Sequence, residues 1–263
     1  MKTLTILSYQ WKNLVRGKWI IGYGLIYLFL TDALFRFGGG GEKALLSIAN
    51  IMLLFVPLVS LVYGVLFLYQ SREFIELMLA QPLKRSSLYW GLFGGITLPL
   101  SAAFVVGTGM PLYYGGLLSG GYLASSLVIL GLGWALTVLF TGIGFIFGLW
   151  YYNDKIKGLG LALVSWLFLA VLYDGLIMLV ISMFGEYPLE KIVLGLSLIN
   201  PIDLARITTL LNFEVSALMG YTGAVFTRFF GSALGIGIAV GCLLLWLGLP
   251  VWRGNNLFMK KDF

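Results

Sequence analysis

Histidine is absent from the chain, and cysteine occurs once, as Cys242 inside an apolar run. These scarcities exclude a disulfide framework, a CxxC redox pair, the usual zinc and copper(II) sites, and catalysis that rests on imidazole. No GxxxxGK[ST] motif occurs, so the chain has no P-loop with which to bind ATP. Charge is also scarce, at 11% of residues against about 25% in soluble domains. What takes its place is apolar: 60% of the 263 residues are hydrophobic, and the mean hydropathy is +0.97. Such a composition cannot make a solvated surface and fits one that faces lipid. The expected fold is an all-α integral membrane protein, a single transmembrane domain over residues 1–263.

A hydrocarbon core about 30 Å thick needs roughly 20 apolar residues in a helix. Six stretches qualify: Trp19–Phe35, Ala44–Tyr69, two within the charge-free interval between Arg85 and Asp154, Gly158–Phe184, and Phe229–Trp252. The charge-free interval is too long for one span, and Tyr113, Tyr114 and the glycines from Gly115 to Gly121 divide it. Residues 1–18 carry no small-residue cleavage site after a long apolar core, so they are not read as a signal peptide. Leu4, Leu7, Trp11 and Leu14 recur there at helical spacing beside Lys2, Lys12 and Arg16. The pattern predicts an amphipathic helix on the membrane surface, with anchoring of the first span as its simplest use.

The net charge of +6 belongs to topology rather than to nucleic acid, because the basic residues flank the apolar runs. Lys2, Lys12, Arg16, Lys18, Arg72, Lys84, Arg85, Lys155, Lys157, Arg253, Lys260 and Lys261 fall on one side of a six-span chain. Arg36, Lys43, Lys191, Arg206 and Arg228 fall on the other. The first set predicts a cytoplasmic side that holds both termini. Between spans five and six lies a long, partly apolar external segment, residues 185–228, in which Ile192–Leu198 and Ile207–Leu211 read as two short helices. Asn200 as cap, Pro201 at the first helical position and Asp203 in the first turn mark a helix start between them.

Three groups of residues are candidates for function. The intracellular segment 70–89 mixes charge with an apolar stripe of Phe74, Leu77 and Met78, is broken by Pro82, and continues into Lys84 and Arg85. It reads either as a docking element for a soluble partner or as a solvated loop that obeys the charge rule. Asp174 sits at membrane depth in the fifth span, where a carboxylate is expensive. Proton relay, substrate contact, gate and a purely structural hydrogen bond are all open readings. Asp203 and Arg206, three apart on one helical face, are expected to pair. Gly231–Gly241 holds two overlapping GxxxG spacings, which allow close helix contact. An intramembrane enzyme is disfavoured by the absence of His and of an evident Asp pair. A proton-driven secondary transporter would need matching broken helices in two halves, and only a loose three-plus-three division is present.

Taken together, a surface helix, six spans, a Glu-containing helix followed by Pro-Leu-Lys-Arg between spans two and three, and two external helices before span six resemble the ABC type-2 permeases. Glu73, Glu76, Pro82 and Arg85, with Lys84, fall where that family carries its ATPase-coupling segment. The family's Gly-Thr and its Lys early in span three are missing here. In Trp166–Asp174 and Leu198–Ile207, with Asn212–Glu214 after them, the chain is most similar to the branch that serves copper-site maturation of nitrous oxide reductase. There Asn200, Pro201, Asp203 and Arg206 match a recurring external motif. The resemblance implies a bacterial inner-membrane permease without enzymatic activity of its own, acting as a homodimer with two ATPase subunits that hold ATP and Mg. It also implies a periplasmic copper-handling β-helical protein on the external helices, and no cofactor on this chain. The external motif would then serve as partner contact or gate. A generic ABC exporter, or a secondary transporter using Asp174, is the alternative.

Overall fold

The structure, a computed structural model, describes residues 2–15, 17–184, 190–211 and 233–263. Arg16, the segment 185–189, the word Asn212–Glu214, Arg228, Phe229 and Gly231 lie outside these residues. All regular structure among the described residues is helical. In chain order it comprises α1 (Lys2–Val15), α2 (Lys18–Phe37), α3 (Gly41–Gln70), α4 (Arg72–Leu79), α5 (Arg85–Tyr114) and α6 (Leu123–Trp150). A continuous fifth span follows, made of α7 (Lys155–Leu167), a π turn (Phe168–Leu172) and α8 (Tyr173–Met183). Then come α9 (Glu190–Ile199), α10 (Pro201–Leu211) and α11 (Ala233–Lys260).

Among the described residues six helical stretches are long and apolar enough to cross a membrane, and the chain is a multi-pass membrane protein. The charge-free interval divides where its tyrosines and glycines are, with a short 3₁₀ turn at Gly120–Tyr122. α9 and α10 form a further apolar pair bent by 112°, the geometry of a broken or re-entrant element. α10 begins at Pro201, so the second short helix is longer than the Ile207–Leu211 stretch that hydropathy marks.

The core lies among α3, α5 and α6. Without hydrophobic drive between helices in lipid, close packing has to come from small residues. Gly64 of α3 and Gly144 of α6 let the two backbones meet: a Cβ on Gly64 would lie 2.9 Å from the Thr141 carbonyl oxygen, and one on Gly144 would lie 2.5 Å from that of Leu61. The fifth span is the opposite case, with only 11% of its apolar window buried within the chain, against 67% for α5.

α1 docks on protein along a face that includes part of the expected stripe: Leu7 meets Gly94 of α5 and Leu14 packs on the core. Ile6 and Gln10 are buried against Gly91 and Gly95 of α5, while Leu4 is 70% exposed. The glycines just inside span three make a seat that no larger side chain could offer. At the same end Arg85 donates hydrogen bonds to the carbonyls of Met259 (3.1 Å) and Lys261 (2.8 Å), and Phe263 packs edge-on against Tyr152 at 5.2 Å. The loop before α5, the loop before α7 and the chain's last residues therefore share one end, the basic one.

Candidate functional site

The π turn and the bend at Asn200 build the principal site. A π turn widens the helix and takes carbonyls out of the regular ladder, and such turns are frequent at functional sites. At membrane depth a freed carbonyl must find a partner inside the protein. Asn200, fully buried, supplies it: its amide nitrogen donates to the Leu169 carbonyl at 2.7 Å. Its Oδ1 accepts from the Ile202 N–H at 3.0 Å, which is the N-cap expected from Asn-Pro. The last carbonyls of α9 are covered from outside that helix. Tyr173 Oη donates to Leu196 at 2.7 Å, and the Trp246 indole N–H donates to Leu198 at 3.4 Å.

This frame sets three charged side chains together. One guanidinium nitrogen of Arg206 donates to Asp174 Oδ2 and also to Asp203 Oδ1, the latter at 3.2 Å. The expected Asp203–Arg206 pair is present, but it is not an exposed surface pair. Asp203 is 4% exposed, and Asp174, on another helix and 32 residues from Arg206 in sequence, completes it. The expected absence of an Asp pair at membrane depth is thereby corrected: Asp174 and Asp203 meet through Arg206. No short-range signal could have found this, because the two carboxylates lie on different helices. Arg206 holds both carboxylates, so the pair is not the bare carboxylate dyad of an aspartyl hydrolase.

A cavity of about 600 Å3 opens beside the triad. It is lined by Asp174, Met178 and Ile181 of α8, Ser197 of α9, and Asp203 and Arg206 of α10. Its walls are mainly apolar, with the charges gathered at one place. Asp174 also sits further along than mid-span, roughly 28 Å from Lys155 at 1.5 Å per residue, and so in the half of the span away from the basic end. Among the described residues no group of three or more His, Cys, Asp or Glu is placed to hold a metal ion.

The segment between spans two and three forms a second candidate site at the basic end. Ile75 is fully buried and fixes α4, while Leu77 is 66% exposed. Glu73, Lys84 and Pro82 are exposed. Glu76 accepts from Arg72 at 3.0 Å, and Arg85 is turned onto the carboxy-terminal carbonyls. Arg72 also stands 4.9 Å from the centre of the Tyr152 ring, and Lys261 stands 5.9 Å from it. Burial pushes the Tyr152 phenol up to about 12, against a smaller opposite pull from Arg72. Tyr69 Oη donates to the Tyr151 carbonyl at 2.9 Å, tying the end of α3 to the same loop. Of the expected coupling residues, then, Glu73 and Lys84 present charge outward, while Glu76 and Arg85 are held by the chain itself.

No family model matches the chain. Two bacterial proteins, each named "Probable ABC transporter permease protein NosY", are similar to it over nearly their whole lengths. That of Stutzerimonas stutzeri is 27% identical over 267 residues, which cover 93% of this chain and 91% of the relative. That of Pseudomonas aeruginosa is 24% identical over 280 residues, covering 96% and 94%. The likeness suggested by the motifs thus extends along the whole sequence, and the chain is NosY-like.

Proposed function

We propose that the chain is the transmembrane subunit of an ATP-driven ABC transporter of the bacterial inner membrane, acting in copper-site maturation of nitrous oxide reductase. The near-full-length similarity to proteins named as NosY permeases carries this reading. The fold supports it at both ends. α4, anchored by Ile75 between α3 and α5, offers Glu73, Leu77 and Lys84 to a soluble partner. With no P-loop on this chain, that partner is the ATPase, and ATP and Mg bind there.

Closure of the ATPases would push α4 and with it the spans to which it is joined. At the far end the Asp174–Arg206 contact joins the fifth span to the re-entrant pair, so a tilt of one moves the other. A periplasmic copper-handling protein resting on that pair would feel the cycle and, by reciprocity, bias the ATPases in return. The fifth span leaves the Asp174 side chain 41% exposed at membrane depth, where a carboxylate needs protein cover. A second copy of the chain is the cover that a homodimer supplies.

The test is affinity purification of the chain from native membranes, with ATP hydrolysis measured and the co-purifying chains identified. The wild type should bring down an ATPase, and Glu73→Lys with Lys84→Glu should lose it while still reaching the membrane. Absence of any ATPase from the wild-type eluate, or its undiminished recovery with the double reversal, would remove the coupling role.

A further inference from the structure

Asp203 has an oxygen with nothing to do. Its Oδ1 accepts from Arg206, but Oδ2 is buried without a hydrogen-bond partner among the described residues, on a residue only 4% exposed and lining the cavity. An ionised carboxylate in that state has lost its hydration and left a bond unmade, which is costly in an apolar setting. Charge counting sharpens the problem. One guanidinium faces two carboxylates, so the fully ionised triad carries one net negative charge beside walls made of Ile177, Ile181, Ile207 and Leu210.

A hard metal ion is a poor answer, because it needs several oxygen ligands. The two hydroxyls lining the cavity already donate elsewhere, Ser197 to the Val193 carbonyl at 2.9 Å and Ser182 to that of Leu179 at 3.0 Å. Among the described residues no other charge is at hand. α8 contributes Asp174 and the Tyr173 phenol, and α10 contributes Arg206. The π turn and α6 contain no charged residue, nor does α9 from Ile192 to Ile199. α3 has Glu42 and Lys43 only in its first turn, and the nearest ionisable group of α11 in sequence is the Cys242 thiol. What fits one orphaned oxygen and one unit of surplus charge is a proton.

We propose that Asp203 is a proton-binding site, taking one proton on Oδ2 through the cavity, and that this proton sets how firmly Arg206 fastens α10 to α8. With Asp203 ionised, the guanidinium is divided between Asp174 and a carboxylate on its own helix. With Asp203 neutral, Asp174 is its only counter-ion, and the tie between the helices tightens. Acidification therefore locks the re-entrant pair to the fifth span, and deprotonation loosens it. The reading uses side chains of one chain only, and its test is separate from that of the transporter proposal.

The experiment uses the whole chain in lipid nanodiscs and records infrared difference spectra between acidic and neutral pH. Beyond the exposed carboxyls, which titrate in wild type and variant alike, a further protonated-carboxyl component should appear in the wild type as pH falls, shift on exchange into D2O, and be missing from Asp203→Asn. Should that variant fold poorly, Asp203→Glu should keep the component at an altered position. In a Cys242→Ser background, cross-linking between cysteines introduced by Met178→Cys and Leu210→Cys should increase on acidification with Asp203 in place and lose its pH dependence in Asp203→Asn. Identical difference spectra for the wild type and Asp203→Asn, or cross-linking that responds to pH without Asp203, would each overturn the proposal.

Discussion

Arg206 of α10 reaches Asp174 of α8 while still holding Asp203 on its own helix, so one side chain adds a charged tie between the re-entrant pair and the fifth span to the hydrogen bonds of Asn200 and Tyr173. Its removal leaves two carboxylates facing each other without a counter-charge. Arg206→Ala should cost on the order of 3 kcal/mol, the low end for an uncompensated buried charge because the arginine is partly exposed. Asp174→Asn should cost less, since the Arg206–Asp203 pair remains. Thermal unfolding of the detergent-solubilised variants checks the order, and an Asp174→Asn variant less stable than the Arg206→Ala variant would contradict it.

Asn200 serves two helices at once, capping α10 and closing the π turn's Leu169 carbonyl. Asn200→Ala should lose about 1 kcal/mol for the cap and a further ~1–3 kcal/mol for the orphaned carbonyl. Asn200→Asp keeps the cap acceptor but sets a buried carboxylate against the Leu169 carbonyl, so it should be no more stable than Asn200→Ala. Melting temperatures of both variants should fall below the wild type, and a wild-type value in Asn200→Asp would mean that the Leu169 bond contributes little.

The α3–α6 contact should tolerate no side chain at its closest points. Gly144→Ala sets a methyl against the Leu61 backbone and should destabilise by about 1–3 kcal/mol. Gly175→Ala, in open space on α8, should be neutral or gain up to about 1 kcal/mol from helix propensity. Yield and thermal stability of the two single variants compare them directly. Equal behaviour would mean that the small-residue seam is not where the packing is decided.

Arg85 is expected to hold the chain's last residues rather than to meet a partner first. Arg85→Gln should speed amide hydrogen exchange over residues 259–263, and Lys84→Glu should leave it unchanged. If both variants exchange at the wild-type rate, the hydrogen bonds to Met259 and Lys261 do not secure this segment.

Asp154 caps α7, accepting from the Lys157 N–H at 3.1 Å and pairing with its ammonium at 3.0 Å. The backbone bond first, then the side chain of Lys157, hold its carboxyl below the ordinary carboxylate range. A depressed folded-state value means that the stabilisation is full above the ordinary range and fades as pH falls through the lowered value. The stability gap between wild type and Asp154→Ala should therefore be constant at neutral pH and close in strong acid. A gap that widens on acidification would reverse the assignment.

Much of this protein is written in short stretches of sequence. Lipid demands runs of about 20 apolar residues with every backbone group satisfied, so composition alone separates the spans and their number. Asn200-Pro201 likewise determines its helix start locally, because a cap needs only neighbours along the chain. The docking face of α1 was legible only in part: Leu7 and Leu14 belong to its apolar stripe, but Ile6 and Gln10 are chosen by the glycines of α5. Not legible was the inward turn of Arg85, whose acceptors lie 174 and 176 residues away. The meeting of Asp174, Asp203 and Arg206 was decided only by tertiary structure. A π turn and a 112° bend aim side chains from separate helices at one point, and electrostatic partnership in a low-dielectric interior depends on that distance rather than on spacing in the chain.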